Sequence, residues 1–159
     1  MKSKKVWIGV DNGKAGALVA IDENNAIVEK IKMPMNGKEY DIPEISDWLE
    51  KFQVQMVTLE NTYSGQFAQA AMKLGFCKGM FEGLCVALRL PYIVVHPKTW
   101  QKQIFSGMDQ GDTKVASITF AKRMWAKEDW VMGKTARAKK PDDGLTDAAC
   151  LALYGKTKF

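Results

Sequence analysis

Four acidic residues at the ends of predicted strands or at the start of a predicted helix are the part of this sequence best suited to chemistry. Asp11 and Glu60 each end an apolar run, while Asp143 and Asp147 lie four residues apart near the C-terminus. Residues four apart share one face of a helix, so the last pair can converge on the first two. Carboxylates brought close together repel one another unless a cation or a proton lies between them. The pattern therefore predicts a metal site.

Magnesium is the ion that suits these ligands best, because it is hard, prefers oxygen ligands and leaves room for water and phosphate oxygens. Two such ions about 4 Å apart, with Mn²⁺ able to replace Mg²⁺, would activate an attacking water and stabilise the leaving 3′ oxygen of a phosphodiester. No side-chain nucleophile is then needed. The sequence agrees, since His96 is its only histidine and it contains no Ser/His/Asp or Cys/His arrangement.

Each acid taken alone has a simpler explanation. Asp11-Asn-Gly is also typical of a turn, and Asp143 with Asp147 is also a charge pair that the helix dipole favours at a helix start. The metal-site interpretation depends on all four acids occurring together at strand ends or in a first helical turn. The four acids therefore form a single prediction.

The surrounding pattern predicts an α/β domain with a mixed five-stranded sheet flanked by helices. Three runs joined by short turns, residues 6–10, 15–21 and 26–33, indicate an antiparallel meander. Two later runs, residues 54–60 and 92–95, indicate further strands, the first of them covered on both faces. Helices are predicted from Asp41 onward and over residues 66–90, 98–105, 112–125 and 144–154.

Length, charge and cysteine content narrow the function classes. We predict one domain over residues 1–159, a length that can bury a single core. Lys and Arg number 23 against 18 Asp and Glu, and the net charge of +5 suits a polyanionic partner. Cys77, Cys85 and Cys150 lack metal or disulfide spacing and are predicted to be buried, reduced thiols. No apolar run is long enough to span a membrane, so we expect a cytoplasmic protein with no membrane partner.

Several segments resemble the motifs of the RuvC-like Holliday junction resolvases, including those carried by phages. The first-strand motif resembles residues 6–13 (VWIGVDNG), the second motif residues 57–61 (VTLEN), and the C-terminal motif residues 142–149 (DDGLTDAA). The family's helix after the second acid is similar to residues 71–79 (AMKLGFCKG). This resemblance covers most of the chain. It implies a ribonuclease H-like fold and a metal-dependent endonuclease acting on four-way and other branched DNA, in a bacterial cell or encoded by a virus.

The resemblance also implies that Asp11, Glu60 and Asp147, one from each of these three motifs, bind metal. It further implies a fourth acid just before Asp147. Cellular members of the family carry that acid at the position of Gly144, whereas phage-like relatives carry it at the position of Asp143. We therefore choose Asp143 as the fourth ligand and keep Asp142 as the second choice.

The predicted DNA contacts are Tyr63, Lys98, Lys102, Lys114, Lys139 and Lys140. By resemblance, Tyr63 matches an aromatic residue that stacks at the point of strand exchange, and Lys102 and Lys114 match lysines near the scissile phosphate. Lys114 is therefore also included in the catalytic set. The simpler explanations are a turn tyrosine packed on the core and solvated lysines. Trp100 either faces DNA beside its neighbouring lysines or belongs to the core.

Gly75, Gly79 and Gly83 recur every fourth residue, which predicts close packing along one helix face. The family resemblance implies that this face forms a homodimer, which would place two active sites on one four-way junction. Close helix packing within one subunit is the alternative.

Three other functions compete with junction cleavage. A ribonuclease H acting on RNA-DNA hybrids would use the same metal chemistry, and a non-catalytic module could bind branched DNA on the same fold. Actin-like ATPases also begin with an Asp-x-Gly loop, but they need two lobes and therefore a longer chain than 159 residues. The intact set of acids argues against the non-catalytic module, since unused negative charge would weaken DNA binding.

Overall fold

The computed structural model of the protein describes residues 4–61, 67–109, 111–131 and 140–159. Seven strands occur in these ranges: β1 Lys5–Asp11, β2 Ala17–Ile21, β3 Ile27–Lys32, β4 Met35–Asn36, β5 Glu39–Tyr40, β6 Gln53–Glu60 and β7 Tyr92–Val95. Five of them form the main sheet in the order β3-β2-β1-β6-β7, and β4 and β5 form a small hairpin. The predicted α/β class, with an antiparallel meander followed by two more strands, is confirmed.

The strand pairing brings several strand termini to one edge of the sheet. β1, β2 and β3 are antiparallel, with Asp11 opposite Ala17 and Ala17 opposite Lys32. β6 runs parallel to β1 and β7 parallel to β6, with Glu60 opposite Val95. Because Val10 is paired with Leu59, the next residues along the two strands, Asp11 and Glu60, end at the same edge. This edge positions the candidate site.

Five helices cover the sheet in the described residues: α1 Ile42–Glu50, α2 Ala68–Ala87, α3 Pro97–Ile104, α4 Thr113–Met124 and α5 Asp143–Lys156. Local sequence explains where they begin. Asp41 caps α1 through a carboxylate oxygen that accepts from Glu44 N at 3.1 Å, and Pro43 occupies the first turn. Asp112 and Asp142 cap α4 and α5 in the same way.

Helices cover both faces of the sheet, because successive side chains along each strand point to opposite faces. Val6, Ile8 and Val10 of β1 face a core that includes α1 and α2, while Val19 and Ile21 of β2 face a second core that includes α4 and α5. Burial of each such aliphatic side chain contributes about 1.5–3 kcal/mol to folding. The sheet is therefore the rigid layer on which both sets of helices are supported.

α5 is the most deeply buried helix, and small residues allow its close approach to the sheet. A Cβ added to Gly9 of β1 would lie 1.9 Å from Ala148 O and 2.4 Å from Ala152 N, inside the backbone of α5. At the far end, a Cβ on Gly155 would lie 2.0 Å from Thr58 Oγ1 of β6. The helix that carries two of the predicted acids is thus fixed directly against the strands that carry the other two.

The structure differs from the sequence-based expectations in a few local features. The hairpin of β4 and β5 was not predicted, because strands of two residues have too few positions to show a periodic pattern.

Cys77, Cys85 and Cys150 are free and buried, as expected. No helix in the described ranges is both long and apolar enough to cross a membrane.

Candidate functional site

The candidate site lies where the first turn of α5 meets the ends of β1 and β6. Asp11 is the last residue of β1, and Glu60 is the last residue of β6. A Cβ added to Gly144, in the first turn of α5, would lie 3.1 Å from Asp11 Oδ2 and 3.0 Å from Ala15 O. A larger side chain at position 144 would therefore require these neighbours to move by a few tenths of an ångström.

The two acids before and at the start of α5 have different partners. Asp142 Oδ1 accepts a hydrogen bond from Leu145 N at 3.1 Å, so this carboxylate caps the helix, and it also pairs with Lys32 Nζ at 2.8 Å. Asp143 Oδ2 lies 3.1 Å from Lys114 Nζ, and its side chain is 45% exposed. Asp142 is therefore engaged in holding the helix start, while Asp143 is open to solvent.

The pKa shifts indicate that the acids form one electrostatic cluster. Burial, followed by the charges of Asp147 and Glu60, raises the pKa of Asp11 well above its usual value. Burial also raises the pKa of Asp147 to about 7, with Glu60 and Asp143 adding to the shift and a hydrogen bond with Ser117 opposing it. Since these carboxylates disfavour one another's ionisation, a cation among them would relieve the repulsion.

Asp143 has the opposite shift, because basic residues surround it. Partial burial would raise the pKa of Asp143, but the hydrogen bond and charge of Lys114, with a contribution from Lys32, lower it below its usual value. The same hydrogen bond raises the pKa of Lys114. Lys32 and Lys114 therefore partly balance the acidic cluster.

Glu60 is held more tightly than the other acids. It is 9% exposed, and its Oε1 accepts a hydrogen bond from Trp100 Nε1 at 2.8 Å. Burial raises the pKa of Glu60, while the Trp100 hydrogen bond and the nearby His96 oppose that rise. Asn12 donates from Nδ2 to the main-chain carbonyl of Glu60, which ties the loop after β1 to the end of β6.

The donor set suits a hard divalent cation. Every candidate ligand is a carboxylate oxygen, and the mutual repulsion among Asp11, Glu60 and Asp147 fits a cation between them. Within the described ranges, however, no three Asp, Glu, His or Cys side chains are already arranged so that they could hold a metal ion. Asp143 is paired with Lys114 through Oδ2, so a cation bound by all four acids would either share this carboxylate with Lys114 or displace the lysine.

The predicted DNA-binding lysines lie on different elements of the fold and are exposed wherever the structure describes them. Lys98 and Lys102 are exposed on the first and last turns of α3, which follows β7 directly. Lys114 is exposed at the start of α4, and Lys140 is exposed just before α5. The predictions for Tyr63 and Lys139 fall outside the described residues.

Trp100 belongs to the core, so the interpretation that it faces DNA is wrong. Its side chain is fully buried, and its ring packs edge-on against Phe105 with centroids 5.4 Å apart. The two flanking lysines point to solvent because they occupy the other face of α3. His96, for which no catalytic role was predicted, caps α3 by accepting from Lys98 N at 3.3 Å.

The glycine face of α2 is open, which excludes close packing of that face against another described part of the same chain. A Cβ added to Gly75, Gly79 or Gly83 would meet no atom within 4 Å. The same face exposes Met72 and Phe76, at 70% and 57% of their surfaces. For the described residues, the alternative that this face packs closely within one subunit is therefore wrong.

Sequence reasoning missed Lys32 and Ser117. Lys32 contacts Asp142 and, through its charge, Asp11, because β3 ends at the same sheet edge. The Ser117 hydroxyl of α4 has two acceptors within reach, Thr146 Oγ1 at 2.7 Å and the Asp147 carboxylate, whose pKa it lowers. The alternating pattern of β3 could have indicated Lys32 only if the pairing of β3 with β2 had been known. No sequence signal distinguished Ser117.

Comparisons with known proteins identify the fold. The sequence matches no family model, and no curated protein matches it significantly. Two structures of Thermus thermophilus RuvC are similar. The one in complex with a Holliday junction substrate has a TM-score of 0.68 and 16% identity, over 94% of this chain and 91% of RuvC. The other has a TM-score of 0.62 and 19% identity, over 94% of this chain and 92% of RuvC.

A eukaryotic structure shows the same likeness. The yeast mitochondrial Holliday junction resolvase Ydc2 has a TM-score of 0.57 and 15% identity, over 96% of this chain and 77% of Ydc2. At these identities the likeness concerns the fold. Together with the five-stranded mixed sheet and its helices, it shows that the chain has a ribonuclease H-like fold of the RuvC type.

Proposed function

We propose that this protein is a metal-dependent endonuclease that resolves Holliday junctions and other branched DNA by hydrolysing phosphodiesters. The observation that carries the proposal is the electrostatic cluster of Asp11, Glu60 and Asp147 at one edge of a RuvC-type sheet. An acidic cluster that lowers the stability of its own fold is typical of a site built for a cation. The net charge of +5 suits a DNA partner.

In this proposal Asp11, Glu60, Asp143 and Asp147 hold the metal, with Mg²⁺ as the expected ion, two per site, and Mn²⁺ able to replace it. Bound there, the ions would supply an activated water and stabilisation of the leaving oxygen. Asp143 is preferred to Asp142 because its charge reaches Asp11 and Asp147, whereas the Asp142 carboxylate caps α5.

The chain's own cations then have two tasks. Lys114 neutralises Asp143 before metal binds and, once Asp143 binds metal, is free to contact a phosphate beside the site. Lys98 and Lys102 of α3 and Lys140 before α5 are proposed to contact the DNA backbone, with Lys139 continuing the last of these contacts. Tyr63 is proposed to stack on an unpaired base at the branch point.

A homodimer through α2 completes the proposal. The support is an exposed apolar face of α2, where a Cβ added to any of the three glycines would meet no described atom within 4 Å, so a second backbone can approach closely. Two-fold symmetry in the protein would match the symmetry of a four-way junction and place one active site on each of two strands. Paired nicks are the expected product.

The test is cleavage of four-way, three-way and linear duplex DNA side by side, with Mg²⁺ and with EDTA. We expect symmetric paired nicks in the branched substrates, dependence on Mg²⁺ and little cleavage of the linear duplex. The Asp11→Asn variant should keep its affinity for the junction and lose at least about 100-fold in cleavage rate, because a ligand is removed while the fold is retained.

Other outcomes would support the competing functions. Preferential cleavage of an RNA-DNA hybrid over the four-way junction would indicate a ribonuclease H. Tight junction binding by the wild type without cleavage in Mg²⁺ or Mn²⁺ would indicate a binding module. Cleavage that is unchanged in Asp11→Asn would exclude the proposed site.

A further inference from the structure

Trp100 makes the one side-chain hydrogen bond to the Glu60 carboxylate that is found among the described residues, from Nε1 to Oε1 at 2.8 Å. We propose that Trp100 is a positioning residue, which fixes the orientation of Glu60 so that this carboxylate binds the metal tightly. The inference rests on the proposed metal site and adds a residue that neither the four acids nor the lysines include.

The indole ring is itself held by two elements of the fold. α3 begins immediately after β7, with His96 as its cap and Pro97 in its first turn, so Trp100 lies one turn into a helix whose start is fixed. The buried ring belongs to the same core cluster as Cys150, Leu151 and Tyr154 of α5. Glu60 is therefore oriented by a residue of α3 whose ring shares a core cluster with α5, the helix that carries Asp147.

The hydrogen bond matters because Glu60 is almost fully buried. A buried carboxylate without a hydrogen-bond donor loses its hydration and is disfavoured in its charged form. An indole N–H can only donate, so it fixes Oε1 as an acceptor and favours the ionised carboxylate that a cation requires. Partners of this kind, which orient a metal ligand, typically contribute 10-fold to 100-fold in metal affinity.

The chain contains a close structural match for this pair at a distant place, which provides the control. Trp48 Nε1 donates to Glu29 Oε1 at 2.7 Å, Trp48 is 2% exposed, and its ring meets Phe52 edge-on with centroids 5.1 Å apart. Trp48 packs on the opposite face of the sheet, in the core cluster of α1 and α2. Glu29 differs from Glu60 in being 35% exposed and in pairing with Lys51 at 3.0 Å, so Trp48→Phe is a control for losing an indole N–H from a core ring and not for leaving a buried carboxylate without a donor.

The experiment compares Trp100→Phe with Trp48→Phe in Mn²⁺ binding by the full chain without DNA, measured from the electron paramagnetic resonance signal of the free ion. We expect Trp100→Phe to raise the dissociation constant for Mn²⁺ about 10-fold to 100-fold and Trp48→Phe to change it less than 2-fold. Glu60→Gln is included as the reference for loss of the ligand. Affinity for a four-way junction in EDTA should be unchanged in Trp48→Phe.

A second replacement separates positioning from packing. Benzothienylalanine at position 100 has the shape of tryptophan but lacks the N–H, so it should preserve the core packing. It therefore serves as the test if Trp100→Phe fails to fold. It should reproduce the loss in Mn²⁺ affinity.

Three results would overturn the inference. Unchanged Mn²⁺ affinity with benzothienylalanine would show that the N–H does not position Glu60, while leaving the proposed function intact. An equal loss in Trp48→Phe would show a general effect on stability. Unchanged affinity in Glu60→Gln would instead remove Glu60 from the metal site, and with it both this inference and that part of the proposed function.

Discussion

Asp147 is a carboxyl group that burial and neighbouring carboxylates keep from ionising freely in the folded protein. Its pKa is raised to about 7 from an ordinary value of 3.8. The folded state therefore retains a proton that the unfolded chain has already released over the intervening pH range. At the scale of single residues, the proposed site is an arrangement that reduces stability in the absence of metal, as is common where function requires converging charges.

This raised pKa predicts that the metal-free protein becomes less stable as the pH rises from about 4 to about 7. Stability falls wherever the folded state binds more protons than the unfolded state, and each pKa unit corresponds to about 1.4 kcal/mol, so the Asp147 contribution is on the order of 4 kcal/mol. Urea denaturation in EDTA at pH 4, 5.5 and 8 measures it. The Asp147→Asn variant should show a shallower loss of stability over the same range.

Two comparisons make this prediction specific. Asp143 has a lowered pKa, so Asp143→Asn should not produce the same flattening. Addition of Mg²⁺ at pH 8 should stabilise the wild type more than Asp147→Asn, because a ligand that binds only the folded state adds to its stability. If wild type and Asp147→Asn lose stability equally with rising pH, the carboxyl group does not carry the raised pKa.

At the scale of elements, the approach of α5 to β1 decides whether the acids meet. Gly9 lies opposite Ala148 and Ala152, and an added Cβ would lie within 2.4 Å of both of their backbones. We predict that Gly9→Ala destabilises the protein by about 3 kcal/mol or more, because backbone atoms cannot yield as a flexible side chain can. It should also weaken Mn²⁺ binding, since α5 carries Asp143 and Asp147.

The control for Gly9→Ala is Gly83→Ala on α2, where an added Cβ would meet nothing within 4 Å. This change should leave the free energy of unfolding of the monomer unchanged or raise it by about 0.5–1 kcal/mol, since alanine favours a helix interior. Chemical denaturation of both variants at low protein concentration measures the difference. Similar destabilisation by the two changes would contradict the close contact between α5 and β1.

The elements also show why sequence predicted part of the site and not the rest. The positions of Asp11 and Glu60 at neighbouring strand ends were predictable because apolar runs mark strand ends, and parallel neighbours end at one edge. Trp100 was not assignable, since its contact with Glu60 spans 40 positions and depends on how α3 packs. Lys32 required the register of β3 against β2. Periodicity identifies elements, whereas these contacts depend on how the elements are placed together.

At the scale of the whole molecule, the open face of α2 is an exposed apolar surface on whose glycines no described residue packs. Glycine spacing alone could not distinguish packing within the chain from packing between two copies, and the structure removes the first possibility for the described residues. Val86, at 67% exposure, extends the apolar face toward the end of the helix. An exposed apolar stripe of this kind normally marks an interface.

We therefore predict that the wild type is a dimer and that Gly79→Arg is a folded monomer at the same concentration. A long, charged side chain at the centre of the open face blocks the approach of a second helix, while its Cβ would meet no described atom of its own chain within 4 Å. Light scattering coupled to size-exclusion chromatography measures the mass. Ala126→Arg, an equal change in charge at an exposed position after α4, should remain a dimer.

Because each active site would remain intact, Gly79→Arg should keep its Mn²⁺ affinity and produce single nicks in a four-way junction where the wild type produces paired ones. A monomeric wild type at tens of micromolar, or paired nicks from a monomeric Gly79→Arg, would exclude α2 as the functional interface.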